Sequence, residues 1–219
     1  MIGVFGGTFD PVHLGHLRPA LDALQYTGLE QVRFVPLRVP VHRASPIADR
    51  SVRVAMLRAA IDDVPGFILD ERELCRGGAS YSYDTLVSLR TELGSSVPIC
   101  LMVGADAFSG FLDWYRPRDI LRLAHLLVMG RPGAGLSGIG PLRELLHERA
   151  TDQIRELHKR PTGRVLFQPV TQMDISSTQV RRLIVEGRSI KFLVPDSVLE
   201  IIVRQGLYRK VAASVVHGV

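Results

Sequence analysis

Cysteine is scarce: the 219 residues hold two, Cys75 and Cys100, far apart and outside any CxxC pair. That argues against a disulfide framework and against a zinc ribbon. Cys100 lies inside the apolar run 98–103, where it reads as a small buried hydrophobe. Aromatic residues make up only 6%, with one tryptophan, Trp114. No apolar run approaches the ~20 residues of a membrane span. The opening Met1-Ile2-Gly3-Val4-Phe5-Gly6 lacks both the basic and the long apolar region of a secretion signal. The expected compartment is the cytoplasm, with no membrane partner. No block of five or more like charges occurs, although the net charge is +5. Scattered basic residues suit a positive cleft for phosphorylated small molecules better than a nucleic-acid surface.

What is present is ordinary for a globular protein, 46% hydrophobic and 22% charged. The length fits one domain able to bury a core unaided. Strands are expected at residues 2–5, 31–36, 67–70, 98–103, 126–129 and 164–168. Helices are expected from about Leu14 to Gly28, then at 48–62 (Val54, Leu57 and Ile61 inward), 83–93, 118–123, 142–158, 178–186 and 196–205. Pro19 restricts the first helix, since proline is tolerated only in a first turn. The glycine- and proline-rich stretch 130–141 reads as a loop. The alternation implies an α/β fold, a doubly wound and mostly parallel sheet. One domain is expected over 1–209, with a small helical part at about 175–209 and a disordered tail at 210–219. Such sheets bind ligands outside the carboxyl ends of their strands, where Gly6-Gly7 falls.

Two segments carry chemistry. Gly6-Gly7-Thr8-Phe9-Asp10-Pro11-Val12-His13-Leu14-Gly15-His16 runs from a strand into a helix start. Glycines allow close backbone approach, and the helix start offers free N–H groups to an anion. His13 and His16, three apart, share a helix face and can donate to phosphate oxygens. The same pair also fits a metal half-site or a solvated surface, but no carboxylate or cysteine partner has metal-ligand spacing, and no metal site is assigned. The second segment is Ile175-Ser176-Ser177-Thr178-Gln179-Val180-Arg181. One hydroxyl would suffice as a helix cap, whereas three, with a guanidinium one turn on, suit a polyphosphate.

GGTFDPVHLGH resembles the signature of the HxGH nucleotidyltransferase superfamily, a Rossmann-like fold, and ISSTQVR resembles its ISSTxxR element. The resemblance implies that ATP is bound by Gly7, Thr8, Phe9, His13, His16, Ser176, Ser177, Thr178 and Arg181. It makes His13, His16 and Arg181 the catalytic set and leaves Mg²⁺ riding on the ATP phosphates. Three further stretches are similar to the nicotinate mononucleotide adenylyltransferase branch: Pro40-Val41-His42-Arg43, Ser80-Tyr81-Ser82-Tyr83-Asp84-Thr85-Leu86, and Gly104-Ala105-Asp106 with Trp114-Tyr115. The likeness covers about residues 1–209. It implies nicotinate mononucleotide as acceptor, with Trp114 stacking on the pyridine ring and Tyr115, Ser82 and Tyr83 near the carboxylate. Asp106 holds a ribose and joins the ATP-binding set, whereas Asp84, Thr85, His42 and Arg43 complete the acceptor site. The bland alternatives are a core tryptophan, a helix-capping Asp84 and a solvated His42-Arg43 loop. The rival acceptor is that of phosphopantetheine adenylyltransferases; the rival class is a non-catalytic nucleotide- or RNA-binding module, for which no basic stripe with interleaved aromatics is present.

Overall fold

Period-two alternation sends the side chains of the central strands to two different cores. In β4 (Ile99–Gly104), Cys100 and Met102 enter one core and Ile99, Leu101 and Val103 the other. β5 (His125–Gly130) repeats this, with Leu127 and Met129 on the first side and Leu126 and Val128 on the second. Both faces are covered by helices, so these strands read as unbroken apolar runs rather than as an alternating pattern. The computed structural model describes residues 1–39, 45–130 and 140–209.

The sheet has seven strands in the order β3-β2-β1-β4-β5-β7-β6, every pair parallel. The others are β1 (Ile2–Gly7), β2 (Gln31–Pro36), β3 (Phe67–Leu69), β6 (Ala150–Thr151) and β7 (Val165–Pro169). The first core is closed by α1 (Leu14–Thr27), α2 (Arg50–Ile61), α9 (Ser177–Val185) and α10 (Asp196–Arg204). The second is closed by α4 (Ser82–Leu93), α6 (Pro117–Leu123) and α7 (Pro141–Arg149). Short helices α3 (Arg72–Cys75), α5 (Ala105–Ser109) and α8 (Ile154–Lys159) complete the chain, with a single 3-10 turn at Phe111–Asp113. The C-terminal helices are part of the first core through Val180, Leu183, Val198 and Ile201. The chain builds β1 to β3 outward, then returns to lay β4 on the other side of β1. That reversal opens a crevice beyond the carboxyl ends of β1 and β4.

Several expectations need correction. The helix expected at 142–158 is two helices, α7 and α8, parted by β6, whose Ala150 and Thr151 pair with Val165 and Leu166. There the Thr151 hydroxyl accepts the Gln153 N–H at 3.1 Å, a local bond that competes with helix continuation. Pro19 sits inside α1, which begins at Leu14, beyond the first turn; it cannot donate to the Gly15 carbonyl. On α2, Leu57 and Ile61 are buried as expected, but Val54 is half-buried and Arg53 takes the inward place. Cys100 is buried as expected, and burial pushes its thiol up to about 12, so it is unreactive. Of the loop expected over 130–141, Gly130 closes β5 and Pro141 opens α7. Residues 131–139, like the tail 210–219, lie outside the described residues.

Candidate active site at the switch point

The turn leaving β1 is built by aromatic packing. Phe9 has a φ of 49°, a left-handed conformation that costs a non-glycine residue about 1 kcal/mol. It is held there because its ring is buried edge-on against Phe5 (5.9 Å) and His16 (5.1 Å) and tilted against Phe34 (5.9 Å). The ring also folds back over Gly7, where an added Cβ would lie 2.7 Å from it. Gly7 therefore makes room for Phe9, and Phe9 supports the His16 ring from within the core. Arg53 completes the turn from below, donating to the Thr8 carbonyl at 2.7 Å and the Leu37 carbonyl at 2.9 Å. Pattern reading missed it because a buried arginine breaks the apolar face of a helix; those two carbonyls offset part of the cost of its burial and leave Nε without a partner among the described residues.

His13 caps α1 and is 4% exposed, and its ring stacks on that of His16 with centroids 3.7 Å apart. The His13 N–H donates to Nδ1 of His16 at 3.3 Å, which places the His16 proton on Nε2. Burial lowers the His13 pKa from 6.5 to about 4, so its imidazole is neutral at neutral pH. Thr8 Oγ1 and His13 Nδ1 are buried without hydrogen-bond partners. Each such orphan costs about 1–3 kcal/mol unless a ligand satisfies it.

A pH dependence follows from His13. Its folded pKa is depressed, so between pH 6.5 and about 4 the unfolded chain binds a proton that the folded one refuses. The stability this group contributes is present above 6.5 and is lost as pH falls toward 4, about 3 kcal/mol in all. Urea unfolding across that window should therefore have a shallower pH slope in His13→Gln than in the parent. Equal slopes would remove His13 as the source.

Gly15 joins this turn to the second motif. A Cβ there would lie 3.0 Å from Nδ1 of His13 and 3.1 Å from the Ile175 carbonyl oxygen. The Ser177 hydroxyl donates to the Pro11 carbonyl at 2.9 Å, and Arg181 Nη1 donates to the Asp10 carbonyl at 2.6 Å. Ser176 caps α9, accepting the Gln179 N–H at 3.1 Å, and Thr178 Oγ1 accepts Arg181 Nη2 at 3.2 Å. Segments about 165 residues apart in the chain are thus one surface. The three hydroxyls have different duties: Ser177 commits its proton to Pro11, while Ser176 and Thr178 use only acceptor capacity here and keep an O–H to donate. Asp10, inside the motif but unassigned by it, is 3% exposed. It receives the Ile47 N–H (2.7 Å), the Ala48 N–H (3.2 Å) and the Tyr208 hydroxyl (2.6 Å).

The acceptor-side residues assemble on the second core. Ser82, Tyr83 and Asp84 form the first turn of α4, whose backbone N–H groups have no partner within the helix. Asp84 there complements the helix dipole. Tyr115 packs on Tyr81 (4.6 Å) and edge-on to Tyr83 (5.9 Å). Trp114 is half-buried with its ring edge-on to Phe111 at 5.6 Å. Arg116, which sequence reading passed over, lies over the Tyr83 ring at 4.4 Å and donates to its hydroxyl at 3.0 Å. Thr85 stands apart from these: it is buried and gives its hydroxyl to Glu73 beneath α4, away from the surface that Tyr83 and Tyr115 present. Asp106 is exposed in the first turn of α5, at the end of β4. His42 and Arg43 lie outside the described residues. Among the described residues no group of three or more His, Cys, Asp or Glu side chains could hold a metal ion. None of their helices is long and apolar enough to cross a membrane.

Comparison with known proteins agrees with this geometry. The cytidylyltransferase-like family profile matches residues 4–183. The chain is similar to a protein named probable nicotinate-nucleotide adenylyltransferase from Methylococcus capsulatus, 47% identical over 96% of this chain and 100% of the relative. It is similar to the protein so named from Marinobacter nauticus, 45% identical over 94% of this chain and 95% of the relative. The fold is that of Plasmodium falciparum nicotinic acid mononucleotide adenylyltransferase complexed with NaAD. That structure matches with a TM-score of 0.67 at 16% identity, covering 94% of this chain and 96% of the other. Near-complete coverage at such identity, together with the paired motifs, places this chain in the cytidylyltransferase-like family, among the nicotinate-nucleotide adenylyltransferases.

Proposed function

We propose that the protein transfers AMP from ATP to nicotinate mononucleotide, giving deamido-NAD and pyrophosphate as a step of NAD biosynthesis in the cytoplasm, within one domain spanning about residues 1–209. An oxygen of the acceptor phosphate forms a bond to the α-phosphorus. The bond from that phosphorus to the bridging oxygen breaks, and pyrophosphate leaves with the electron pair. The acceptor phosphate, with a second pKa of about 6, is already an anionic nucleophile at neutral pH, so no general base is required. What the reaction demands is alignment and stabilisation of the departing charge.

The chain's groups fit that demand. His13 and His16 donate to the phosphates nearest the reacting centre. Ser176, Thr178, the α9 N-terminus and Arg181 take the departing pyrophosphate, and Asp106 holds a ribose. A Mg²⁺ ion carried on the ATP phosphates would spread their charge, with no protein ligand of its own assigned. On the acceptor side the free N–H groups of the first α4 turn, at Ser82 and Tyr83, receive the nicotinate carboxylate with Tyr115 beside them. Trp114 stacks on the pyridine ring, Asp84 borders the site, and His42 and Arg43 supply cationic reach to a phosphate. Thr85 serves this site through its buried bond to Glu73.

The observation that carries the reading is the direct contact of the two motifs, Arg181 on the Asp10 carbonyl and Ser177 on the Pro11 carbonyl. The test is pyrophosphate release from ATP with nicotinate mononucleotide, its amide, or phosphopantetheine as acceptor. An amide would bring donors against the α4 donors and leave buried groups unpaired, worth about 1–3 kcal/mol. The acid should therefore exceed the amide in kcat/KM by about 10- to 100-fold. Equal values would remove the carboxylate reading, and turnover of phosphopantetheine alone would replace the acceptor.

A further inference from the structure

We propose that Tyr208 is a positioning residue for AMP transfer: by fixing the Asp10 carboxylate, its hydroxyl holds in place the peptide on which Arg181 is anchored. The proposal rests on the reading that Arg181 meets the ATP phosphates. Tyr208 is 198 residues from Asp10 in sequence, is 9% exposed, and its hydroxyl donates to Asp10 Oδ1 at 2.6 Å. Its φ of 62° is left-handed, which a tyrosine adopts only when its surroundings enforce it. Burial, and then the bond to Asp10, push its phenol well above the ordinary value, so it stays a donor at working pH.

Asp10 meets the Arg181 guanidinium twice. Its carbonyl accepts Nη1 at 2.6 Å, and its Oδ2 lies 3.9 Å from the same nitrogen. Among the described residues three donors fix the carboxylate: the Tyr208 hydroxyl, the Ile47 N–H and the Ala48 N–H. Of these only the Tyr208 hydroxyl is a side chain, and it arrives from the segment following α10. If it is lost, Oδ1 keeps only the longer Ala48 bond at 3.2 Å, the carboxylate is held less firmly, and the peptide that anchors the arginine loosens with it. Thr178 alone, at 3.2 Å from Nη2, does not define the guanidinium plane. Neither Tyr208 nor Asp10 needs to touch substrate for this.

The experiment compares the full-length parent with Y208F, R181K and the double variant, recording kcat, both KM values and the thermal midpoint. In Y208F, kcat should fall by about tenfold with KM for the acceptor unchanged, because a misplaced charge is felt most in the transition state. R181K should also be slow, and adding Y208F to it should cost nothing more, since the group being positioned is already altered. D10N, which keeps the shape but weakens the hub, should match Y208F and takes its place if Y208F does not fold. Wild-type kcat in Y208F and D10N beside a slow R181K overturns this proposal alone. Additive losses in the double variant, as from general destabilisation, overturn it too. Wild-type kcat in R181K overturns the phosphate role of Arg181, and this proposal with it.

Discussion

Alanine in place of His16 is expected to lower kcat by about 10² or more, the scale of removing one donor aimed at developing negative charge. KM for ATP should change less, because the α9 hydroxyls, the helix ends and Arg181 still hold the ground-state triphosphate. The imidazole is preorganised: it stacks on His13 at 3.7 Å, abuts Phe9 edge-on at 5.1 Å, and has its tautomer set by the His13 N–H. Pyrophosphate release at saturating substrates reads the effect. His16→Asn separates two causes, since its amide can still accept the His13 N–H. If Asn is as slow as Ala, the loss is that of the imidazole donor. Native turnover in the alanine variant would take His16 out of the chemistry.

Gly15→Ala should also impair the protein while adding only a methyl group. That methyl would stand 3.0 Å from Nδ1 of His13 and 3.1 Å from the Ile175 carbonyl, and neither neighbour is the free end of a flexible chain. Relief requires α1 to move away from the Ile175–Ser177 turn or the His13 ring to rotate off His16. Overpacking of this kind costs about 1–3 kcal/mol of stability. Contacts this close ask the neighbours to give by a few tenths of an ångström, so kcat/KM should fall, but by less than the ~10² that a misplacement of about 1 Å costs. Both are read on one preparation, from a urea midpoint and a steady-state assay. A variant with parental stability and rate would mean that His13 and the Ile175 turn yield to the methyl group without disturbing the site.

The legible parts were those where a residue type has few alternatives. The unbroken apolar run 98–103 reads as a strand covered on both sides, and the sheet has it at its centre as β4. The glycine-histidine and hydroxyl-arginine segments each carry enough unusual residues in a fixed order to stand out, and the fold brings them into contact. Shorter pieces escaped. Helices of four or five residues such as α3 and α5 show no period, and β6 exists only because β7 offers it a partner. Long-range polar contacts escaped for a different reason. Nothing local distinguishes Tyr208 from any tyrosine near a chain end, nor Arg53 from a surface arginine, until folding brings each to its carbonyl or carboxylate. Arg116 was hidden likewise: its value lies in where a left-handed backbone, φ 56°, points it over Tyr83.

The separation of the two cores has an evolutionary corollary. Apart from Asp106 on α5, the groups assigned to ATP hang from elements packed on one side of the sheet, whereas Tyr83 and Trp114 pack against the other. Drift in the packing under α4 and α6 can therefore reshape the pocket for the second substrate while leaving the adenylate-handling half untouched. A lineage that retained the histidine and arginine signatures and varied only residues around 80–123 could acquire new acceptors one substitution at a time, with the donor chemistry inherited intact.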